Sequence, residues 1–322
     1  MALTYDLDKL LDELKVHGPK KVLLQLPEGL KPKALEIAEA IEGIGIRVIV
    51  SGEPCWGGCA LAADEASNLN ADLIVHFGHA EFKKDYPAIY VHVADDTKIK
   101  SLLKKSMSKL KRFKRLGISC SIDHLGKSQQ VYEFYSAEGK DAILSEKAGR
   151  ATCKGHIIGC DYSGMKAIQP KVDAFVVIGN NFHSKGAALA LNKPVFLLDT
   201  QNRKVTKMNR DKFLKQKAIA IDRVKNAEKL GIIISTSQRF GDDKELAQEL
   251  KAMGKKAMII SLTEITPDKL ANFNNLEGFI ILACPRLADD IQQFGRPMIT
   301  YNEAMVAMGR KSWEDMLKEG FT

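Results

Sequence analysis

Short apolar segments alternate with amphipathic ones along almost the whole chain, and this alternation restricts the folds open to it. The apolar runs, such as residues 21–26 and 174–179, are typical of buried strands, and the segments between such runs have helical periodicity. Strands that alternate with helices build parallel sheets, because a parallel pair of strands needs a crossover connection. We therefore predict an α/β fold with short, mostly parallel sheets flanked by helices.

One order of elements occurs three times: strand, helix, strand, connecting segment, strand, short connection, strand. The repeat is longer than the roughly 20–50 residues of a solenoid unit, which favours three related small α/β domains. We predict these domains at residues 1–105, 106–215 and 216–322. The joints near residues 95–116 and 200–228 are rich in Lys and Arg, and we predict that they are helices.

The composition is that of a globular protein, with 45% hydrophobic and 27% charged residues. No segment approaches the roughly 20 consecutive apolar residues of a membrane helix. Residues 1–18 carry acidic side chains where a secretory signal would be basic and then apolar, so we predict a cytoplasmic protein. The net charge is +8, and the basic run at residues 98–115 is typical of a solvated helix face. The alternative is a docking surface for a ribosome-associated partner.

Six cysteines indicate metal or redox chemistry, since disulfide frameworks are rare in cytosolic proteins. They are Cys55, Cys59, Cys120, Cys153, Cys160 and Cys284. Cys120 lies within a predicted strand, so we interpret it as core packing. The first two cysteines form a C-x3-C pair, and Cys153 and Cys160 form a wider C-x6-C pair. Cys284 follows an apolar strand and precedes a proline.

Spacing alone leaves two kinds of metal site open. A structural zinc site would use the two cysteine pairs, although the second pair is wider than the usual spacing of two to four residues. An iron–sulfur cluster would instead take one cysteine from each domain. Ligands of open parallel sheets lie beyond the carboxyl ends of the strands. Three sheets arranged around an axis would therefore direct Cys59, Cys160 and Cys284 to a common centre.

Several short segments carry a family resemblance through their order and spacing. They are residues 24–30 (LQLPEGL), 57–59 (GGC), 77–79 (FGH), 155–163 (GHIIGCDYS), 178–183 (IGNNFH) and 282–297, which contains LACPR, DD, FG and RP. Together they resemble the archaeal diphthamide synthase subunit, in the family of 2-(3-amino-3-carboxypropyl)histidine synthases. The resemblance extends from about residue 20 to about residue 305.

The resemblance implies that Cys59, Cys160 and Cys284 bind one 4Fe–4S cluster at the centre of the three domains. Cys55 and Cys153 lie outside the family pattern, so we predict that they are incidental. Three thiolates leave one iron without a protein ligand. In this family that iron engages S-adenosylmethionine, whose bond between sulfur and the γ-carbon then breaks. The implied products are 5′-methylthioadenosine and a 3-amino-3-carboxypropyl radical, which adds to C2 of a histidine imidazole on elongation factor 2.

Further residues are predicted to contact S-adenosylmethionine. The candidates are Gly78, His79, Gly179, Asn180, Gln238 and Arg239. Backbone N–H groups at glycine-rich strand ends bind carboxylates, although polar residues at such positions also serve as turn formers. His183 is either a hydrogen-bond donor behind the cluster ligands or a satisfied histidine in a packed loop.

The resemblance also implies partners. These are elongation factor 2 as the protein substrate, an unidentified electron donor and a second copy of the chain in a homodimer, with no membrane and no nucleic acid required. Two alternatives stay open. One is a non-catalytic iron–sulfur subunit that carries electrons or supports a catalytic partner, and the other is a zinc-stabilised binding protein of the translation machinery. The presence of all three cysteines favours the catalytic homodimer.

Overall fold

The computed structural model describes residues 3–235, 241–290 and 295–319, and three sheets form its framework, which confirms the α/β class. In spatial order, the first sheet consists of Arg47–Val50, Lys21–Gln25, Leu73–Phe77 and Ala88–Val91. The second consists of Asp141–Leu144, Arg115–Cys120, Ala174–Gly179, Val195–Asp199 and Lys204–Lys207. The third consists of Lys256–Leu262, Lys229–Ser235, Gly278–Ile281 and Met298–Thr300. A two-residue pairing of Leu3–Thr4 with Ala94–Asp95 is separate from these sheets.

The three sheets share one topology. In each, the first strand of the sequence lies between the second and the third, and the fourth pairs with the third. Leu116, for example, lies opposite Ala142 on one side and Ala174 on the other. These pairings are parallel, and the second sheet adds the antiparallel edge strand Lys204–Lys207. The threefold repeat in the sequence is therefore a repeat of sheet topology, which gives the strand ends equivalent positions in each sheet.

Helices connect the strands and cover the sheets. The α-helices are Leu7–His17, Ala34–Glu42, Ala63–Asn68, Lys100–Leu110, Ser128–Ala137, Ser163–Ile168, Asn181–Ala190, Arg210–Asn226, Asp243–Ala252, Pro267–Ala271, Leu287–Asp290, Tyr301–Ala307 and Trp313–Glu319. Short 3-10 helices are Glu28–Lys33, Gly58–Ala60, Ile122–Lys127 and Gln169–Lys171. Asp6, Asn209 and Asp242 each accept a backbone N–H at a helix start, which satisfies donors that the helix leaves free. Among the described residues, no helix combines the length and the hydropathy needed to cross a membrane.

The central strands are buried on both faces, as is typical of parallel strands covered by helices. Every residue of Leu73–Phe77, Ala174–Gly179 and Gly278–Ile281 is buried. Full burial of one large apolar side chain contributes roughly 1.5–3 kcal/mol. These runs therefore form the rigid centre of each sheet, and the chain becomes accessible where the strands end.

Both basic joints differ in detail from the prediction. The helix Lys100–Leu110 spans residue 105, and its buried leucines belong to the core of the second sheet. The second joint begins with the edge strand Lys204–Lys207 and only then forms the helix Arg210–Asn226. A four-residue edge strand leaves too short an alternation to be recognised in a basic segment. The three domain boundaries stay predictions.

A buried ion pair fixes the long helix Arg210–Asn226 against the third sheet. Lys217 Nζ lies 2.9 Å from Glu303 Oε1, and both side chains are almost completely buried. Glu303 also closes a capping box, because its Oε2 accepts the N–H of Thr300 at 2.7 Å. A buried charge is strongly destabilising when its partner is removed. This pair therefore connects the chain that leaves the second sheet to the last strand of the third.

We expect Lys217→Met to lower the free energy of unfolding of this region by about 3–5 kcal/mol, because Glu303 would stay buried without its partner. Adding Glu303→Gln should recover most of the loss, since the amide oxygen still caps the helix. Urea unfolding followed by the fluorescence of Trp313, which packs against this core, measures both effects. A Trp56→Phe background removes the other tryptophan. Unchanged stability in the single variant would contradict this role of the pair.

Candidate functional site

The three cysteines of the predicted cluster each follow a strand of a different sheet. Cys59 lies in the 3-10 helix Gly58–Ala60, on the segment that leaves Arg47–Val50. Cys160 lies on the segment between Asp141–Leu144 and the next helix, and Cys284 follows Gly278–Ile281 after Leu282 and Ala283. All three residues are half-buried, and all six cysteines of the chain are free thiols. The position of each cysteine thus depends on where the preceding parallel strand ends.

The three thiols lie within electrostatic reach of one another. Burial raises the pKa of Cys59 to about 11, and the neighbouring Cys284 raises it as well. Burial likewise raises the pKa of Cys160 to about 12, with Cys284 and then Cys59 as the next causes. The thiols of Cys59 and Cys160 are therefore protonated at neutral pH in the absence of metal. Metal ligation requires thiolates, so binding there would release protons.

The spread of these sulfur atoms distinguishes a cluster from a single ion. Within residues 3–235, 241–290 and 295–319, the one group of three potential ligands whose ligand atoms all lie within 4.8 Å of one another does not consist of these cysteines. At least two of the sulfur atoms of Cys59, Cys160 and Cys284 are therefore more than 4.8 Å apart. A single zinc ion holds its ligand atoms about 3.3–3.8 Å apart. An iron–sulfur cluster is several ångström across and is bound by cysteine thiolates. The three cysteines therefore fit a cluster better than a single zinc ion.

Glycines let the loops pack tightly beside the thiols. A Cβ atom on Gly159 would lie 1.7 Å from Cε1 of Phe182, and one on Gly58 would lie 2.2 Å from the carbonyl oxygen of Ala80. Neither contact is tolerable, so both positions need a residue without a side chain. Because Gly58 and Gly159 directly precede the cysteines at 59 and 160, close packing determines the course of both ligand loops.

Positive charge faces the thiols. Arg150 lowers the pKa of both Cys59 and Cys160, and Lys83 lowers that of Cys59, although burial outweighs these effects. The guanidinium carbon of Arg150 lies 4.0 Å from the ring centroid of Phe82, which holds the cation over an aromatic face. Arg150 could not be singled out from the sequence, because no motif surrounds it and its position beside the thiols depends on folding.

A buried contact joins the loops of the second and third sheets. The hydroxyl of Tyr162 donates to the carbonyl of Gly159 at 2.5 Å and is also hydrogen-bonded with the buried Arg286. The Arg286 guanidinium carbon lies 5.8 Å from the ring centroid of Phe182. Arg286, two residues after Cys284, is thus connected to Tyr162, two residues after Cys160. Tyr162 and Arg286 both lie in the family motifs, but the sequence did not predict a contact between them.

Gly78 and His79, predicted to contact S-adenosylmethionine, lie at the end of Leu73–Phe77. Gly78 has a φ of +82°, which favours glycine, and its N–H already donates to Val91 O at 2.9 Å. His79 Nδ1 lies 3.0 Å from His76 Nε2 and 3.8 Å from Cys55 Sγ. Cys55, which the family pattern leaves without a role, therefore lies beside two histidines.

Gly179 and Asn180 lie where the second sheet meets the helix Asn181–Ala190. Asn180 caps this helix, since its Oδ1 accepts the backbone N–H of His183 at 3.3 Å and lies 2.9 Å from the Nδ1 of that histidine. Burial lowers the pKa of His183 to about 4, so its ring is neutral at pH 7. The side-chain oxygen of Asn180 thus already has partners within the chain.

Cys120 and Cys153, which are outside the predicted ligand set, differ in burial. Cys120 is completely buried in the core of the second sheet, as predicted. Cys153 is half-buried, with its sulfur 4.0 Å from Thr152 Oγ1. Gln238 and Arg239 lie outside the described residues. The predicted contacts with S-adenosylmethionine therefore stay predictions.

Comparison with known proteins identifies a consistent set of relatives. The family model described as “Putative diphthamide synthesis protein” matches residues 26–318. The 2-(3-amino-3-carboxypropyl)histidine synthase of Pyrococcus horikoshii is 28% identical over 315 residues, covering 95% of this chain and 91% of the relative. Subunit 1 of the corresponding synthase of Kluyveromyces lactis is 28% identical, covering 94% and 75%. A crystal structure described as Dph2 from Pyrococcus horikoshii with a 4Fe–4S cluster superposes with a TM-score of 0.86 at 28% identity, covering 96% and 92%.

We expect Gly159→Ala to lose more than half of the iron bound after anaerobic reconstitution, because the new methyl group overlaps the Phe182 ring. Overpacking of this kind costs about 1–3 kcal/mol. Adding Phe182→Ala should restore iron binding by removing the obstacle. Gly126→Ala is the control, since its Cβ would meet no atom within 4 Å. Iron and sulfide assays measure the outcome, and normal iron content in Gly159→Ala would show that this packing does not position Cys160.

Proposed function

The chain belongs to the family of diphthamide synthesis proteins, and from this premise we propose that it transfers a 3-amino-3-carboxypropyl group from S-adenosylmethionine to C2 of a histidine imidazole on elongation factor 2. In this proposal Cys59, Cys160 and Cys284 ligate one 4Fe–4S cluster. The names of the relatives support the activity, and the cluster named for the Pyrococcus horikoshii structure supports the cofactor. The reaction would be the first step of diphthamide synthesis.

One observation carries the proposal: Cys59, Cys160 and Cys284 follow strands of three different sheets, and their thiols lie near enough to affect one another's pKa values. The mutual effects on the thiol pKa values support their proximity, and their spread favours a cluster over a single ion. Three cysteine ligands leave one iron of a four-iron cluster free for a substrate, whereas four would favour simple electron transfer. The number of converging thiols therefore favours an enzyme over an electron carrier.

When bound, the cluster would supply the electron that cleaves the sulfur–γ-carbon bond of S-adenosylmethionine, giving 5′-methylthioadenosine and the 3-amino-3-carboxypropyl radical. Addition of this radical to C2 of the imidazole would give a ring radical, and loss of one proton to solvent and of one electron to the oxidised cluster would restore the aromatic ring. The chain must hold the sulfonium so that its γ-carbon bond, rather than the bond to the ribose, faces the open iron. Positioning is therefore the main contribution of the protein.

Arg150 is a candidate to position the substrate. It lies close enough to Cys59 and Cys160 to affect both thiols, and its guanidinium is held over the Phe82 ring. A cluster with three thiolates is anionic, and so is the amino-acid carboxylate of S-adenosylmethionine. A guanidinium forms strong, often bidentate, hydrogen bonds to carboxylates. We add Arg150 to the predicted contacts at the strand ends.

The proposal includes the predicted partners. Elongation factor 2 would be the protein substrate, an electron donor would reduce the cluster, and a second copy of the chain would complete a homodimer. The reaction would take place in the cytoplasm, where translation factors act, and would need neither a membrane nor nucleic acid.

The reaction products test the proposed activity. We expect anaerobically reconstituted, reduced protein to release 5′-methylthioadenosine from S-adenosylmethionine and to increase the mass of elongation factor 2 at one histidine. A non-catalytic iron–sulfur subunit would bind iron but release neither product. Release of 5′-deoxyadenosine would contradict the proposed bond cleavage. Elongation factor 2 with that histidine replaced by alanine is the control for the site of transfer.

Single cysteine variants test the ligand assignment. We expect Cys59→Ala, Cys160→Ala and Cys284→Ala each to lose most of the cluster and all detectable methylthioadenosine release, because two thiolates hold a four-iron cluster poorly. Cys153→Ala is the matched control, since this cysteine is also a half-buried loop residue. Visible absorption and iron content measure the cluster. An intact cluster in any of the three variants would remove that residue from the ligand set.

A further inference from the structure

A second group of metal-binding side chains lies at the end of the strand Leu73–Phe77. Cys55 Sγ is 4.0 Å from His76 Nε2 and 3.8 Å from His79 Nδ1, and the two nitrogens are 3.0 Å apart. These separations form a triangle whose centre is about 2.1 Å from each atom, close to zinc bonds of about 2.0–2.3 Å to nitrogen and sulfur. From this geometry we propose that Cys55, His76 and His79 bind one zinc-class divalent metal ion, separate from the iron–sulfur cluster.

Gln25 holds His76 in the tautomer that a metal requires. The side-chain amide of Gln25 is oriented by the backbone, because its Nε2 donates to Ala60 O at 2.7 Å and its Oε1 accepts the N–H of Ala62 at 3.2 Å. Its Oε1 lies 2.8 Å from His76 Nδ1, so that ring nitrogen carries the proton. The lone pair of His76 is therefore on Nε2, which faces Cys55 and His79. Metal-binding histidines characteristically have such a partner on the other nitrogen.

The surroundings also suit a metal site. His76 and Cys55 are buried, and the Tyr90 ring lies 5.1 Å from the His76 ring, which restricts its rotation. His79 is only half-buried, so the site has a path to solvent. Two imidazoles and one thiolate form a ligand set found in zinc proteins, with a fourth position for water. The donors, their orientation and their access thus agree with one ion.

Without a metal, the same atoms can form hydrogen bonds, with His79 Nδ1 donating to His76 Nε2. A metal would take the place of that proton and bind both nitrogens as acceptors. It would also connect Cys55, four residues before Cys59, to the strand end that carries His76 and His79. The ion would therefore hold the loop of one proposed cluster ligand to the rigid centre of the first sheet.

Cobalt binding tests the site independently of the cluster. The full-length Cys59→Ala/Cys160→Ala/Cys284→Ala protein, titrated anaerobically with Co²⁺, should bind one equivalent with tetrahedral d–d bands and a thiolate charge-transfer band. Adding Cys55→Ala should abolish the charge-transfer band, and His79→Ala should weaken binding at least tenfold. Gln25→Leu should weaken it about 10–100-fold, as loss of a histidine-orienting group usually does. Cys153→Ala and His92→Ala, in the same background, should leave binding unchanged.

Zinc content gives a second measurement that does not depend on the triple variant. Wild-type protein with a reconstituted cluster should retain one Zn²⁺ per chain in addition to its iron, and Cys55→Ala should lose the zinc and keep the iron. Absence of Co²⁺ and Zn²⁺ binding would overturn the proposal and indicate a hydrogen-bonded group only. Loss of iron in Cys55→Ala while His79→Ala keeps its iron would also overturn it, by making Cys55 a cluster ligand. Neither result depends on whether the protein modifies elongation factor 2.

Discussion

In a parallel sheet the carboxyl ends of the strands meet at one edge, and the three sheets of this protein share one strand order. The segments that follow Arg47–Val50, Asp141–Leu144 and Gly278–Ile281 therefore leave equivalent edges, and each carries one of the three cysteines predicted to bind the cluster. No single sheet brings more than one of these thiols to the meeting point. The site consequently exists only when all three sheets pack together, and contacts such as the ion pair of Lys217 and Glu303 support it from a distance.

Burial and charge give this meeting point its chemical character. The raised pKa values of Cys59 and Cys160 mean that, without metal, these two thiols are protonated and neutral at pH 7. A bound cluster would replace those protons, so its binding free energy would also stabilise the packing of the three sheets. Arg150, held over Phe82, places a positive charge beside the resulting thiolates. The same cation is available to an anionic substrate group.

Much of the fold could be predicted because parallel strands buried on both faces are continuous apolar runs, as in Ala174–Gly179. The helix Asn181–Ala190 was missed, since its cap Asn180 resembles a ligand at a strand end. Cys59, Cys160 and Cys284 could be singled out from topology and family resemblance. The group around Cys55 could not, because its histidines lie 21 and 24 residues further along the chain and no local spacing connects them. Folding alone brings them together.

Mössbauer spectroscopy of protein reconstituted anaerobically with ⁵⁷Fe observes the environment of each iron. A 4Fe–4S cluster bound by Cys59, Cys160 and Cys284 has one iron that differs from the other three. Addition of S-adenosylmethionine should therefore change about one quarter of the iron signal and leave the rest nearly unaltered, as expected for one open iron among four. Four irons that stay equivalent, or a spectrum that does not respond to S-adenosylmethionine, would contradict a three-thiolate cluster with an iron open to the substrate.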